Sequence, residues 1–182
     1  MVQKITCILL FVFGVGYAQQ DHIQSIDLGG GYEFDGYFVR GAYSRVYGNS
    51  LFRSAVEIHK QQFEIGNTGI DQTSILYVLN LEYYHQVLAL NGKDFLVYAG
   101  VGGIGGYEHT NTITFQENNS VLGDTGIIYG GHIGIDIQKH LAQLNAIGTS
   151  LGLVVNLRQN YVLGSALGNT FFYAGLGLKL NF

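Results

Sequence analysis

The chain has 182 residues and a formal net charge of −4, with 12% charged residues, 27 Gly, 13 Tyr and 11 Phe, and neither Pro nor Trp. That charge content is about half of the ~25% of an ordinary soluble domain, too little to cover a water-facing surface of this size. The negative balance leaves no basic footprint for gripping nucleic acid.

Met1 to Ala18 reads as a secretory signal: Lys4 near the start, an apolar run from Ile5 to Val15, and small residues at Gly16-Tyr17-Ala18 for cleavage. The apolar run is too short for a spanning helix, and nothing downstream approaches the roughly 18 uninterrupted apolar residues that one needs. The expected division is therefore a signal peptide over 1–18 and one domain over 19–182. Cys7, the only cysteine, lies inside the signal, so the mature chain is expected to hold no disulfide and no cysteine-ligated metal.

From there on, apolar and polar side chains alternate with a period of two in eight segments, separated by clusters of Gly, Asn, Asp and Ser. They fall at 24–34, 37–47, 51–61, 73–84, 95–108, 127–138, 149–160 and 171–182. Eight strands of about ten residues fit one small transmembrane barrel of the outer-membrane type, all-β and antiparallel. Even parity puts both chain ends on the periplasmic side. The inner connections would be Tyr47-Gly-Asn-Ser50, His85 to Asp94 and Lys139 to Gly148. The outer ones would be a Phe34-Asp-Gly turn, Gln62 to Gln72, the polar His109 to Gly126, and Tyr161 to Thr170.

The phase of the segments separates the two faces. In the third, Phe52, Val56 and Ile58 oppose Arg53, Ala55, Glu57 and His59. In the fourth, Tyr77, Leu79, Leu81 and Tyr83 oppose Asn80, Glu82 and Tyr84; in the sixth, Ile133, Ile135 and Ile137 oppose His132 and Asp136; in the seventh, Leu153, Val155 and Leu157 oppose Asn156 and Arg158. Asp27, Arg53, Glu57, Glu82, Asp136, Arg158 and Lys179 thus gather on the lumen side, with Glu33, His59 and His132 nearby. The expected result is a plug of buried ion pairs, since a barrel this small is filled by its own side chains. Tyr32, Tyr77, Tyr83, Tyr98 and Tyr129 are read as outward, toward an interfacial aromatic girdle.

The last segment alternates Leu176, Leu178 and Leu180 with Gly175, Gly177 and Lys179, and stops on Phe182. Leu178, Leu180 and the terminal aromatic resemble the assembly signal of bacterial outer-membrane barrels. The partners expected on this reading are outer-membrane lipid and the barrel assembly machinery.

No catalytic, cofactor or metal site is expected. Gly100-Val-Gly-Gly-Ile-Gly105 has the spacing of a dinucleotide loop but lies within a strand with no helix behind it. His59, His109, Asp71, Ser74 and Ser165 could furnish a lipid acyltransferase or hydrolase, but they form no diagnostic local motif. The six His show no metal-ligand spacing. A soluble lipocalin-like barrel would show the same alternation with the faces reversed; the scarcity of charge and the abundance of Gly on the would-be solvent face, together with Phe182, speak against it.

From about Tyr98 to the end the chain resembles the TraO family of conjugative-transposon proteins. The resemblance lies in Gly105-Gly-Tyr-Glu108, Ile128-Tyr-Gly-Gly131, Asn156-Leu-Arg-Gln159, the Leu163-Gly-Ser165 step and Gly175-Leu-Gly-Leu-Lys179, in this order. It implies a component of a mating apparatus at the outer membrane, with other conjugation proteins as partners and no direct contact with DNA. It carries over no catalytic or binding residue. The alternative left open is a general OmpX-like surface barrel.

Overall fold

The computed structural model describes residues 23–33, 36–64, 71–91, 94–110, 113–114, 121–122, 125–144, 149–165 and 170–182. The predicted signal peptide lies outside these residues, as do parts of the outer connections. The strands are β1 (Ile23–Glu33), β2 (Gly36–Tyr47), β3 (Ser50–Glu64), β4 (Asp71–Leu90), β5 (Phe95–Thr110), β6 (Ile113–Thr114), β7 (Val121–Leu122), β8 (Thr125–Leu144), β9 (Thr149–Leu163) and β10 (Thr170–Asn181). Eight of them close a barrel in the order β1-β10-β9-β8-β5-β4-β3-β2, and β6 and β7 form a separate two-stranded ribbon between β5 and β8.

All barrel pairs are antiparallel, and their register fixes the shape. A hydrogen-bonded row runs from Ile23 through Val46, Leu51, Tyr84, Gly100, Gly134, Arg158 and Tyr173 back to Glu33, ten residues further along β1. With a rise of about 3.3 Å per residue and about 4.8 Å between strands, that offset tilts the strands by about 40° and sets a backbone radius of about 8 Å. The seam closes through Gln24 and Phe182, which exchange backbone hydrogen bonds of 3.2 and 2.9 Å.

The tilt places the outward tyrosines. At this angle each residue advances about 2.5 Å along the axis, so Tyr32, Tyr37, Tyr77, Tyr107, Tyr129 and Tyr161 fall in one band about 8 Å deep. On β2, Tyr37 and Tyr47 are separated by about 25 Å along the axis, the height of the apolar belt of such barrels. Between them the outer surface is Leu28, Val39, Val56, Leu79, Leu81, Val101, Ile133, Leu176 and Leu178, all exposed. At the opposite border Phe52 packs between Tyr47 and Tyr83, ring centroids 5.8 and 5.1 Å away.

Four of the five tyrosines read as outward are exposed, but Tyr98 is not: at 1% exposure it sits inside the barrel in a cluster with Leu51 and Tyr84. The cause is the glycine run from Gly100 to Gly106. Gly occupies both faces there, so the alternation that fixes a strand's phase disappears.

The strands are also longer than the alternation indicates. The expected inner connections at His85 to Asp94 and Lys139 to Gly148 are mostly strand, because β4 runs to Leu90 and β8 to Leu144. Register shifts between Gln86 and Leu88 and between His140 and Ala142 leave Val87 and Leu88 both exposed, breaking the two-residue period where the sequence reading stops. At the opposite end β3, β4, β5 and β8 continue above the tyrosine band as polar strand. The β2–β3 turn is as expected: two residues, Gly48-Asn49, with Gly48 at φ +59°, the left-handed geometry that tight hairpin turns use.

The outward phase of β10 can be checked directly. Leu176, 55% exposed near the middle of the belt, is expected to lose about 2–4 kcal/mol of stability on replacement by Arg, with a much smaller loss for Ala. Equilibrium unfolding in micelles or liposomes measures both; equal effects would place Leu176 away from lipid.

Candidate functional site

The lumen is the site in which the chain's chemistry is concentrated, and it is assembled strand by strand from inward positions two residues apart. All seven residues grouped from the sequence, Asp27, Arg53, Glu57, Glu82, Asp136, Arg158 and Lys179, are buried within it. They come from β1, β3, β4, β8, β9 and β10, and the Arg–carboxylate pairs they form join different strands.

Arg53 lies at the centre of one group. Its Nη2 donates to Asp136 Oδ2 in a short contact, its Nη1 lies 3.3 Å from Glu82 Oε2, and its Nε donates to Ser44 Oγ at 3.0 Å and lies 3.6 Å from Asp27 Oδ2. Ser44 in turn donates to Asp27 Oδ2 at 3.4 Å.

Arg158 organises a second group. Its Nη1 is 2.9 Å from Glu82 Oε1 and 3.1 Å from Glu57 Oε1, and its guanidinium lies over the Tyr173 ring at 4.6 Å. Gly134 makes this possible, because a Cβ there would sit 2.9 Å from Arg158 Cγ.

A third guanidinium, Arg40, escaped the sequence reading. It spans the same two glutamates, with Nε 3.5 Å from Glu57 and Nη2 3.4 Å from Glu82, and donates through Nη1 to Asn156 Oδ1 at 2.6 Å. The signal was there: Phe38, Arg40, Ala42 and Ser44 alternate on one face of β2. It was hidden because Arg45 sits on the other face, so neither face of β2 is free of charge.

His59 lies further toward the loop end. Its Nδ1 is 3.0 Å from both Glu33 oxygens and its Nε2 3.1 Å from Glu57 Oε2, so a carboxylate faces each ring nitrogen. The imidazolium, which donates from both nitrogens, satisfies this arrangement. Phe38 stacks on its ring with centroids 5.4 Å apart. His132 makes no comparable contact; its Nε2 is 3.9 Å from Glu82.

In the middle of the lumen five cationic side chains lie among five carboxylates: Arg53 contacts Asp27 and Asp136, Arg40 and Arg158 contact Glu57 and Glu82, His59 contacts Glu33, and Lys179 donates to Gln138; a sixth carboxylate, Glu108, is buried separately and accepts from Ser74 and Thr110. Matching is a physical requirement, since a buried charge without a partner costs several kcal/mol. Beyond His59 the lumen holds an apolar cluster and then, at the ends of β4 and β5, the buried polar group of Ser74, Glu108 and Thr110. Leu76, Val78, Ile104, Ile128, Val162 and Phe171 form a buried cluster across β4, β5, β8, β9 and β10, so the interior is less uniformly polar than the alternation suggests.

Of the residues that might have formed an acyl-transfer centre, His59 and Ser74 are held in different hydrogen-bond networks, and the Asp71 side chain lies outside the described residues. His59 is held by its two glutamates, while Ser74 donates to Glu108 at 2.8 Å and contacts Thr110 at 3.2 Å. His109 points outward on β5. Leu178, Leu180 and Phe182, grouped from the sequence as an assembly signal, are all exposed on the barrel exterior.

The network makes a measurable prediction. Arg158→Met strips a cation from Glu57 and Glu82 and is expected to cost about 3–5 kcal/mol, the usual consequence of breaking a buried pair from one side. Arg158→Met combined with Glu57→Gln is expected to cost less than the sum of the single changes, and a double-mutant cycle by urea unfolding reads the coupling. Strict additivity would show that the pair does not interact.

Several solved structures share this fold. A major outer membrane protein from Thermus thermophilus superposes with a TM-score of 0.63 at 13% identity, over 90% of this chain and 100% of that one. The N-terminal β-barrel domain of Pseudomonas aeruginosa OprF gives 0.55 at 14%, over 90% and 98%, and Ail, the attachment invasion locus protein of Yersinia pestis, gives 0.54 at 11%, over 90% and 100%. At such identities the likeness is one of fold. No curated protein matches the chain. The family model of the conjugative transposon protein TraO matches residues 26–182, well beyond the carboxy-terminal half in which the sequence motifs lie, and the chain belongs to that family.

Proposed function

We propose that this protein is an outer-membrane barrel serving as a non-enzymatic, structural or interaction component of the conjugative DNA-transfer apparatus. The TraO family match over residues 26–182 carries this reading. On it, residues 1–18 are a signal peptide removed on export, and the chain ends and short turns face the periplasm. The exposed apolar belt bounded by tyrosines supports placement in the membrane, and the fold shared with outer-membrane barrels supports which membrane.

A mechanical or docking role suits the interior better than transport. A backbone radius of about 8 Å, filled by paired guanidinium and carboxylate groups and closed by an apolar cluster, leaves no path for a nucleoprotein. The dispersal of His59 and Ser74 into separate lumen networks supports a non-enzymatic reading. A general OmpX-like surface barrel is the second reading, favoured only by the shared fold.

Transfer frequency of the parent element from donors lacking the gene separates the two. A fall to background, restored by complementation, is the expected outcome; unchanged transfer would retire the conjugative role. The assembly role proposed for Leu178, Leu180 and Phe182 has its own test. Removing Phe182 deletes two backbone hydrogen bonds of the seam and an exposed terminal aromatic, and is expected to lower the yield of heat-modifiable barrel in the outer membrane. A normal yield would reject the terminal residue as a signal.

A further inference from the structure

The exterior between the two tyrosine borders is mainly apolar, and β2 sets a cation into it. Arg45 lies on the outward face of that strand, partly exposed, two residues from Tyr47 and about 5 Å inside that border. The rest of the strip is Tyr37, Val39, Gly41, Tyr43 and Tyr47.

A long basic side chain near a membrane border ordinarily carries its charge out toward water. Arg45 is tied to the wall instead. Its Nε donates to Tyr43 Oη at 2.8 Å, and Tyr43 Oη donates to Gln24 Oε1 at 2.8 Å. Gln24 stands opposite Arg45 in the β1–β2 register, so this chain of hydrogen bonds runs across the barrel wall. The guanidinium carbon lies 5.7 Å from the centre of the Tyr43 ring, and Tyr47 shares a hydrogen bond with the side chain as well. Both tyrosines are neutral, so they orient the guanidinium without discharging it.

The level at which it is held selects the kind of ligand. Aromatic borders mark the headgroup level of a bilayer, so a guanidinium fixed just inside one meets headgroups before it meets bulk water. Its planar fork matches two oxygens of a phosphate. Ile26, Leu28, Val39 and Val56, all exposed, continue from it toward the midplane as an apolar wall for acyl chains.

Charge then selects among phospholipids. Among the described residues, the carboxylates at the level of the belt, Asp27, Glu33, Glu57, Glu82 and Asp136, are all buried in the lumen. The exterior there offers a zwitterionic headgroup no carboxylate for its ammonium, whereas a net-negative headgroup gains a full charge pair.

We propose that Arg45, steered by Tyr43 and Tyr47, binds the phosphate of an anionic glycerophospholipid in the leaflet at the chain-terminal end of the barrel. The inference rests on the membrane placement proposed above and deepens it by naming a lipid class and the residue that holds it.

The chain contains no Trp, so a single introduced one reports on its own surroundings. Phe52 stands opposite Arg45 in the β2–β3 register and is 48% exposed, while Phe172, 55% exposed, lies on β10 toward the other border. Phe52→Trp and Phe172→Trp are each refolded into phosphatidylcholine bilayers holding increasing fractions of phosphatidylglycerol brominated on its acyl chains, which quenches Trp on contact; heat-modifiability checks insertion. The expected result is that quenching of the Phe52→Trp protein is half complete at about five-fold less phosphatidylglycerol than that of the Phe172→Trp protein, the ratio equivalent to about 1 kcal/mol per basic residue. Arg45→Gln in the Phe52→Trp background removes the difference, and brominated phosphatidylcholine gives both reporters the same midpoint. Equal phosphatidylglycerol midpoints in the inserted barrel overturn the proposal, as does a preference that survives Arg45→Gln and so marks a diffuse attraction. A preference abolished when inorganic phosphate replaces chloride at equal ionic strength also overturns it, in favour of a site for free oxyanions. A chain that refolds without inserting retires the membrane placement, and the proposal with it.

Discussion

A charge inside a barrel of about 8 Å radius has no bulk water to retreat to, and the rest of this structure depends on that constraint. Three guanidinium groups, an ammonium and two imidazoles are enclosed with five carboxylates in the inner and middle parts of the lumen. Each guanidinium is placed where a carboxylate from a different strand meets it, and Lys179 is met by the Gln138 carbonyl oxygen. Glu82 illustrates the economy of the arrangement, since Arg40, Arg53 and Arg158 all reach it from separate strands. The pairs act as crosslinks between distant parts of the wall, and their geometry is specified by the offset with which the barrel closes.

The glycines are the other half of the same solution. A ring of eight strands crowds large side chains toward one axis, and the inward glycines are where that crowding is relieved. A Cβ on Gly134 would strike Arg158, one on Gly102 would overlap the His132 ring, and one on Gly175 would come within 2.8 Å of Phe38. At these positions glycine is a packing requirement of a filled lumen, while Gly103 and Gly105 on the other face of β5 have open space around them, and together they remove the alternation that marks the strand in sequence. The misplacement of Tyr98 beside the Gly100–Gly106 run follows directly from that loss.

The lumen is also graded along its length. The terminal end opens into a cavity lined by amide, charged and apolar side chains, the middle is ionic, and the loop end carries the apolar cluster of Leu76, Ile128, Phe171 and their neighbours together with the buried Ser74, Glu108 and Thr110. Such a gradient suits a protein that blocks passage through itself while presenting different chemistry at its two ends. The chain that carries this gradient belongs to the TraO family of conjugative transposon proteins.

The class of fold, the number of barrel strands and the inward or outward phase of most of them were legible in the sequence, because a half-lipid, half-lumen strand must alternate with a period of two wherever it has side chains on both faces. The pool of lumen charges followed from the same periodicity. Legibility failed where the period failed: at the bulges beside Val87 and Leu141, in the glycine run of β5, on β2 where Arg45 obscured Arg40, and above the belt where strands are polar on both sides. Which charges pair, that Arg40 joins them, that an apolar cluster forms toward the loop end and that the terminal end opens into a cavity were decided only by closure. Pairing joins residues as far apart in sequence as Arg40 and Asn156, and the ten-residue offset that brings them level is a property of the closed ring, set by all eight registers together.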